Sequence, residues 1–582
     1  MLEKIKKIKE KRFFNLVFAI VINAVILTIT VICINAKYDM ADNQIFSFFI
    51  VDGEYNIIFT NYFLCWFCGL IQSIIYPVNA FVVVYLFFSY CSFVTLTVVI
   101  LDRFSFLKSF AIILLVNGLF CINHYLTISF TLAPALITSV GFICAMHYIK
   151  KEKILCKGSV VGGILIIFGS LYRFESFIMV SCVFIAFFVG LIIKKFIDNR
   201  NNISAFQTMG KCIKLSLPII LSVVLSFGIY FLSYQINTST DELSYYNDYT
   251  NARSAVWDYE IPDYSQCMEE YDKINIDEND IEMLRNGYMD DKGGFTLEKL
   301  NQIKMIQNNN KPLNSLSSIL PTFKNLLLNL YAHLLALDSI GIFYIVFALV
   351  TIFYLIYTRK RMVFIPVILW ICALLFNFIL LLIGRSPFRS LYPYLCPSII
   401  ILLYLMVPEN KKVCNHKIRD NLKKNLNVLV CILLCVISIF SFFVINNKKE
   451  VLTYPDSTEN IKSHIVNNKD KKYELSRSVS GDFSFDEDDS VFSVEKNKVF
   501  NNSIIFNCTY YNHPDYKKQS IDFGAANLYL NLLKKDVYFV DSINNPHVDI
   551  MCRYINKYYS SNKKVSYNKI DTVDGYVIYK FI

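Results

Sequence analysis

Six charged side chains stand where so apolar a chain tolerates charge least, and their types suggest chemistry. Asp39 and Asp42 lie in NAKYDMADNQ, directly after a 22-residue uncharged stretch, Phe13–Ile34. Arg173 and Glu175 interrupt an apolar run from Val160 to Ile193. Arg385 and Arg389 sit in LLLIGRSPFRSLYPYL. A charge near the centre of a membrane helix costs about 2.5–3.5 kcal/mol on insertion scales, so deep ones are functional candidates. A carboxylate can take the proton of an attacking hydroxyl. Two guanidinium groups four residues apart share one side of a helical turn, and each offers a planar fork that fits a phosphate. Such a set suits transfer from a phosphate- or diphosphate-linked lipid, with the arginines taking the leaving charge. It would equally serve a proton-coupled carrier with Asp39 or Asp42 as the proton site. Each pair also has a plain reading: a solvated loop start for the acids, mutual pairing across a hairpin for Arg173 and Glu175, and snorkelling for Arg385 and Arg389.

The elements that would position them follow from composition. The chain has 582 residues, 55% of them hydrophobic and 18% charged. Its mean hydropathy is +0.42. Apolar runs of about 20 residues recur, long enough to cross roughly 30 Å of hydrocarbon, so the expected class is a polytopic α-helical membrane protein. The net charge of +10 does not form one patch, which argues against nucleic acid. The basic segments 1–12, 102–108, 150–157, 194–202, 358–361 and 409–424 lie between apolar runs, as cytoplasmic loops do. The first apolar run is too long for a cleavable signal peptide and lacks a small-residue cleavage site. Eleven spans are expected, at 13–35, 77–101, 108–122, 128–149, 158–172, 175–193, 213–235, 338–357, 362–383, 390–407 and 425–445. The N-terminus is then inside and the C-terminus outside. The stretch 57–76 reads as an amphipathic helix near the outer interface rather than a further span.

This arrangement gives a transmembrane part, 1–446, with outer loops 36–76 and 236–330, and an extracytoplasmic α/β domain, 447–582. In the long loop, NDYTNARSAVWDYEIPDYSQ reads as a helix followed by a turn at Pro262, and Asp277 reads as an N-cap. VFSVEKN, NSIIFNC, DVYFVDS and DGYVIYKF are strand-like, and HVDIMCRYINKYY has helical period. Most of the 17 cysteines lie in apolar runs and serve as small apolar filler. Cys65 and Cys68 have redox spacing in CWFC but no βαβ context, and Cys508 and Cys552 are free to pair if that region is outside. The acidic run 486–489 reads as a solvated tip. Asn123 and His124 lie in a short turn between spans, where a lone His is a hydrogen-bonding residue more often than a ligand.

Several of these stretches carry a resemblance. YDMADNQIFSFFIVDGEYNIIFTNYFLCWFCGLIQSIIYPVN resembles the first outer loop of bacterial integral-membrane proteins with GT-C glycosyltransferase architecture. TISFTLAPALITSVGF, GILIIFGSLYRFESFIM, NARSAVWDYEIPDY with IDENDIEML, and LIGRSPFRSLYPYL look similar to further pieces, so the resemblance runs over about residues 13–407. It implies a polyprenyl-phosphate-linked sugar donor, inversion at the anomeric carbon, and a first-loop acid near the reacting hydroxyl. That acid maps onto Asp42, with Asp39 as the fallback. Asn43 stands where a second Asp is expected, which weakens the case for a divalent cation, the one cofactor such acids would hold. Arg385 and Arg389 match phosphate-facing arginines. Arg173 and Glu175 match a recurring Arg-x-Glu, and Arg253 and Asp258 lie in the loop that would cover the site. The implied acceptor is a cell-surface glycan or glycolipid, and the implied location is a bacterial plasma membrane. A transporter or flippase of lipid-linked sugars, a polysaccharide polymerase or ligase, and a membrane scaffold are the alternatives.

Overall fold

Backbone N–H and C=O groups among lipid chains must bond within their own segment, and the apolar runs of this chain are helical accordingly. The computed structural model describes residues 2–34, 36–39, 41–149, 157–198, 205–310, 318–358, 363–385, 387–406, 435–443, 458–479, 491–493, 502–506, 512–524, 527–560 and 564–582. In chain order the first part contains α1 (Leu2–Ile34), β1 (Lys37–Tyr38), α2 (Ala41–Val51), α3 (Tyr62–Ile75), α4 (Ala80–Arg103) and α5 (Phe106–Cys121). A π-helical turn (Ile122–Leu126), β2 (Thr127–Ile128), α6 (Ala133–Ile149), α7 (Lys157–Tyr172), α8 (Phe174–Asp198) and α9 (Ala205–Asn237) follow. A polar stretch then holds α10 (Asp241–Trp257), α11 (Met268–Lys273), α12 (Glu278–Arg285) and α13 (Leu297–Asn309). Apolar helices return as α14 (Ile319–Ala336), α15 (Ser339–Thr358), α16 (Phe364–Leu382) and α17 (Phe388–Leu405).

Six helical stretches among the described residues are long and apolar enough to cross a membrane: Glu10–Val31, Ala80–Arg103, Phe106–Leu126, Ser216–Asn237, Phe364–Leu382 and Phe388–Leu405. The count is seven if α14 and α15 form one broken span. The architecture is that of a helical membrane protein. Of the other expected spans, those at α6, α7 and α8 are apolar but shorter. The one at 425–445 lies outside the described residues except for the helical stretch 435–443.

The long polar loop differs from the sequence reading, whereas the 57–76 stretch holds a short helix with one buried and one exposed face, as an amphipathic helix should. The long polar loop was expected to run to 330, yet α14 begins at Ile319 and exposes Leu320, Leu327, Leu328 and Leu335. Its axis is bent 93° from that of α15, so the two cannot both run along a membrane normal. The 57–76 stretch forms α3, whose 14 residues reach only about 21 Å. Leu64, Cys65, Cys68 and Gln72 face the protein, while Trp66, Leu70 and Ile74 are exposed.

The most enclosed helix is α6, in which every residue from Ala133 to Met146 is buried. It packs closely on α7 because small residues meet there: a Cβ on Gly141 would lie 2.7 Å from the Gly162 carbonyl oxygen.

Beyond residue 458 a five-stranded sheet forms in the order β4-β3-β5-β7-β6. Its strands are β3 (Lys472–Leu475), β4 (Ser503–Ile505), β5 (Val537–Ser542), β6 (Tyr567–Val573) and β7 (Tyr576–Phe581). β4, β3 and β5 are parallel; β7 and β6 are antiparallel to their neighbours. Asp574 and Gly575, at φ 42° and 84°, make the two-residue turn of the last hairpin, where both central residues need positive φ. The sheet shares one core with the polar stretch: Tyr249, Val256, Leu284 and Phe295 pack with Phe506, Tyr529, Phe539 and Tyr554. Tyr288 enters the carboxyl edge of the parallel strands, where its hydroxyl accepts from Arg477 N–H (3.0 Å) and bonds His547 Nδ1 (2.9 Å).

Candidate functional site

The first predicted site residues follow a non-local strand pair. β1 runs parallel to β2, with Lys37 opposite Thr127 and Tyr38 opposite Ile128. The sequence reading began a span at residue 128. Instead the chain turns at Ser129, whose carbonyl accepts from Leu132 and Ala133 N–H, and α6 starts at Ala133 with Pro134 in its first turn. The short segment Thr127–Leu132 therefore sits at one end of the bundle, and other elements attach to it.

Ser129 Oγ donates to Asp39 Oδ2 at 2.9 Å, and Asp39 N–H donates to the Ile128 carbonyl at 3.0 Å. Phe130 N–H donates to Asn43 Oδ1 at 2.9 Å, which pins the first turn of α2. Arg173 Nη1 donates to Thr131 Oγ1 at 3.0 Å, and Ser176 Oγ donates to the Thr131 carbonyl at 3.2 Å. The acid loop and the arginine turn are thus held by Ser129 and Thr131, whose Cα atoms are at most about 7 Å apart. Asp42 directly precedes Asn43 in α2; its side chain lies outside the described residues.

Arg173 also pairs with Glu175 (Nε to Oε2, 3.5 Å), as the plain reading expected, and its guanidinium lies over the Phe130 and Phe59 rings at 5.5 and 5.6 Å. Arg385 and Arg389 are close enough to act on the charge of Arg173, as is Asp258. Arg385 follows the end of α16, and Arg389 lies in the first turn of α17. Arg385 Nη1 is 2.7 Å from Asp258 Oδ2, and its guanidinium lies 5.7 Å from the centre of the Tyr259 ring. Asp258 caps the C-terminus of α10, so the long polar stretch closes over this end of the bundle through that ion pair. Arg253 is buried, donates to Ser254 Oγ at 2.9 Å and lies 6.0 Å from the Trp257 ring centre. Its place is in the packing under α10.

Two supporting groups escaped the sequence reading. Ser129 and Thr131 lay inside an assumed span, and their only signal was polar residues two apart at its start. Tyr38 accepts from Asn79 Nδ2 at 2.8 Å and contacts the Val491 carbonyl (3.4 Å), joining β1, the start of α4 and the segment 491–493. His124, singled out as a lone His, is buried in the π-helical turn with Nε2 2.7 Å from the Tyr392 hydroxyl. It ties that turn to α17 three residues beyond Arg389, in keeping with the hydrogen-bonding reading.

Among the described residues, no three His, Cys, Asp or Glu side chains come together where a metal could sit. Asn43 spends its side-chain oxygen on Phe130 N–H, as a positioning group would. Cys65, Cys68 and Cys552 are free, and Cys508 and the acidic run 486–489 lie outside the described residues. A small apolar cleft lies at the far ends of α4 and α17, lined by Leu96, Ile100, Arg103, Leu403 and Tyr404. It is far from the acids and arginines and has no group suited to transfer chemistry. No family model, curated protein or solved structure matches the chain.

Proposed function

We propose that this end of the bundle is the active site of a GT-C-like, eleven-span membrane glycosyltransferase. It moves a sugar from a polyprenyl-phosphate-linked donor to a cell-surface polymer or glycolipid. In this reading the N-terminus is cytoplasmic, and the site and the sheet face outward. The observation that carries it is the attachment of Asp39 and Arg173 to one short segment, with Arg385 and Arg389 near enough for their charges to act on Arg173. A carboxylate and a group of arginines are the parts this transfer needs at one place.

The acceptor hydroxyl oxygen attacks the anomeric carbon. The carbon–oxygen bond to the phosphate breaks, and the configuration inverts. The hydroxyl proton goes to Asp42, or to Asp39 in its place, and the charge left on the phosphate falls to Arg385 and Arg389 with Arg173. The Arg385–Asp258 pair means that an incoming phosphate competes with Asp258 for the guanidinium. Binding of donor and release of the α10 end are then one event.

The test is transfer of radiolabelled sugar from a panel of polyprenyl-phosphate donors in membranes. Wild type consumes one donor, and both Asp42→Asn and Arg385→Ala lose transfer at unchanged expression. Transfer that survives both substitutions would reject the assignment and favour a carrier or scaffold.

A further inference from the structure

The helix α14 presents three different sides, and its widest apolar side is open. Thr322 and Leu326 are buried, and at 3.6 residues per turn they share an arc of about 80° with the half-buried Leu330 and His333. Leu320, Leu327, Leu328, Tyr331 and Leu335 fall within a second arc of about 100°, and every one is exposed. Asn325 and Asn329, with Ala332 and Ala336, make a third and more polar sector. An exposed apolar side this broad marks a surface that something apolar covers.

Both ends of α14 are held at one level of the bundle. Near its start, the Phe323 ring lies 6.2 Å from that of Phe378. Phe378 is four residues before the end of α16, about 6 Å inside it. At its finish, Leu337 adopts φ 50° and α15 begins at Ser339. Asp338 fixes that corner: its Oδ1 accepts from Gly341 N–H at 2.9 Å, and its Oδ2 lies 2.5 Å from His333 Nδ1. The start of α15 is at the same end of the bundle as Arg385 and Arg389, because the Phe343 ring lies 5.5 Å from that of Phe388 at the start of α17. The 93° bend then lays α14 across α15 and α16 rather than along them.

We propose that α14 is an interfacial helix whose open side rests on lipid, at the boundary of headgroups and acyl chains in the leaflet beside the site. The helix it crosses, α16, is long and apolar enough to span, and it exposes Ile371, Leu375 and Ile379 along one side as a span does to lipid. Helices that lie in a membrane surface sink their apolar side about 5–10 Å into that boundary, which is the depth of Phe378 below the end of α16. The helix has no acidic residue to be repelled by lipid phosphates. Lys324 falls within the apolar arc, and its four-carbon stem lets the ammonium turn back to those phosphates. Lipid therefore anchors the polar stretch that precedes α14, the stretch whose Asp258 closes on Arg385. This holds whatever reaction occurs at the site.

The experiment measures depth in the full chain in nanodiscs. A nitroxide is carried on a ketone-bearing unnatural amino acid, so that native cysteines stay unlabelled. It is placed singly at Leu320, Leu327 and Leu335 on the open side, at Asn329 on the polar sector, and at Ile371 and Ile379 of α16. Relaxation by oxygen, which enters lipid, is compared with relaxation by a nickel chelate, which stays in water. The two α16 positions are about 12 Å apart along their helix and set the scale. The three leucine positions are expected to favour oxygen over nickel and to differ in depth by less than the two α16 positions do, while Asn329 favours nickel. A depth that grows from Leu320 to Leu335 by more than the α16 interval would overturn the proposal and make α14 half of a broken span, since its axis covers about 22 Å between them. Both reagents excluded from the leucine positions would overturn it in favour of a second copy of the chain as the cover. Nickel favoured there would leave the side in water and overturn it too. Leu328 and Tyr331 replace any leucine position whose labelled variant fails to fold.

Discussion

Asp280 in the polar stretch and Asp39 in the first loop are both carboxylates, yet their surroundings are built for different ends. Asp280 is fully enclosed. It accepts from Asp277 N–H, from Lys557 Nζ at 2.6 Å and from the Tyr558 hydroxyl at 2.9 Å, within a capping box that starts α12. Asp290 nearby takes the hydroxyls of Tyr554 and Tyr559. These acids stitch the polar stretch to the helix Val548–Tyr558. Asp39 is half-exposed and takes one hydroxyl from Ser129, two residues before the Thr131 that holds Arg173. Clustered cations repel unless an anion joins them. On the proposed function, the contrast separates acids that hold the chain together from acids left available to a substrate.

Substitutions should divide along the same line. The largest effect expected is on transfer: Asp42→Asn lowers it by about 10²–10⁴-fold, the usual worth of a general base, with the unfolding midpoint unmoved. Destabilisation at Asp42→Asn comparable to a core substitution would erase the distinction. Tyr554→Ala empties a fully buried aromatic site between the two segments and costs about 3–5 kcal/mol, read by denaturant unfolding of the sheet and polar stretch. Thr131→Val removes an acceptor from Arg173 and raises the donor KM about tenfold, with kcat little changed and Thr131→Ser restoring the value. The smallest effect is at Asp258→Asn. Freeing Arg385 from a partly exposed pair strengthens phosphate binding by a few-fold at most, under about 1 kcal/mol.

Local pattern made much of the polar half legible. The N-cap at Asp277, the helix before Pro262, the strands Val537–Ser542 and Tyr576–Phe581 and the helix Val548–Tyr558 all stand where periodicity and turn residues put them. β3 escaped because its four residues include Glu474, a buried acid bonded to Asn531 at 2.6 Å, which reads as a surface charge. β6 escaped because it is an exposed edge strand without alternation. α14 escaped because Lys324, Asn325 and Asn329 break its apolar face into pieces that look like loop. At the site, the residue types were readable and their convergence was not. The pairing of Lys37–Tyr38 with Thr127–Ile128 joins segments 90 residues apart, and one sequence holds no local trace of it.

The claim that arginines hold a lipid phosphate while the first-loop acids act on the acceptor is tested most directly by binding without chemistry. The measurement is the affinity of purified protein in nanodiscs for sugar-free polyprenyl phosphate, compared with Arg173→Met, Arg385→Ala, Asp39→Asn and Asp42→Asn. The account predicts binding about tenfold or more weaker in each arginine variant and unchanged in both acid variants. Binding indifferent to both arginines, or lost equally on removing either acid, would contradict it.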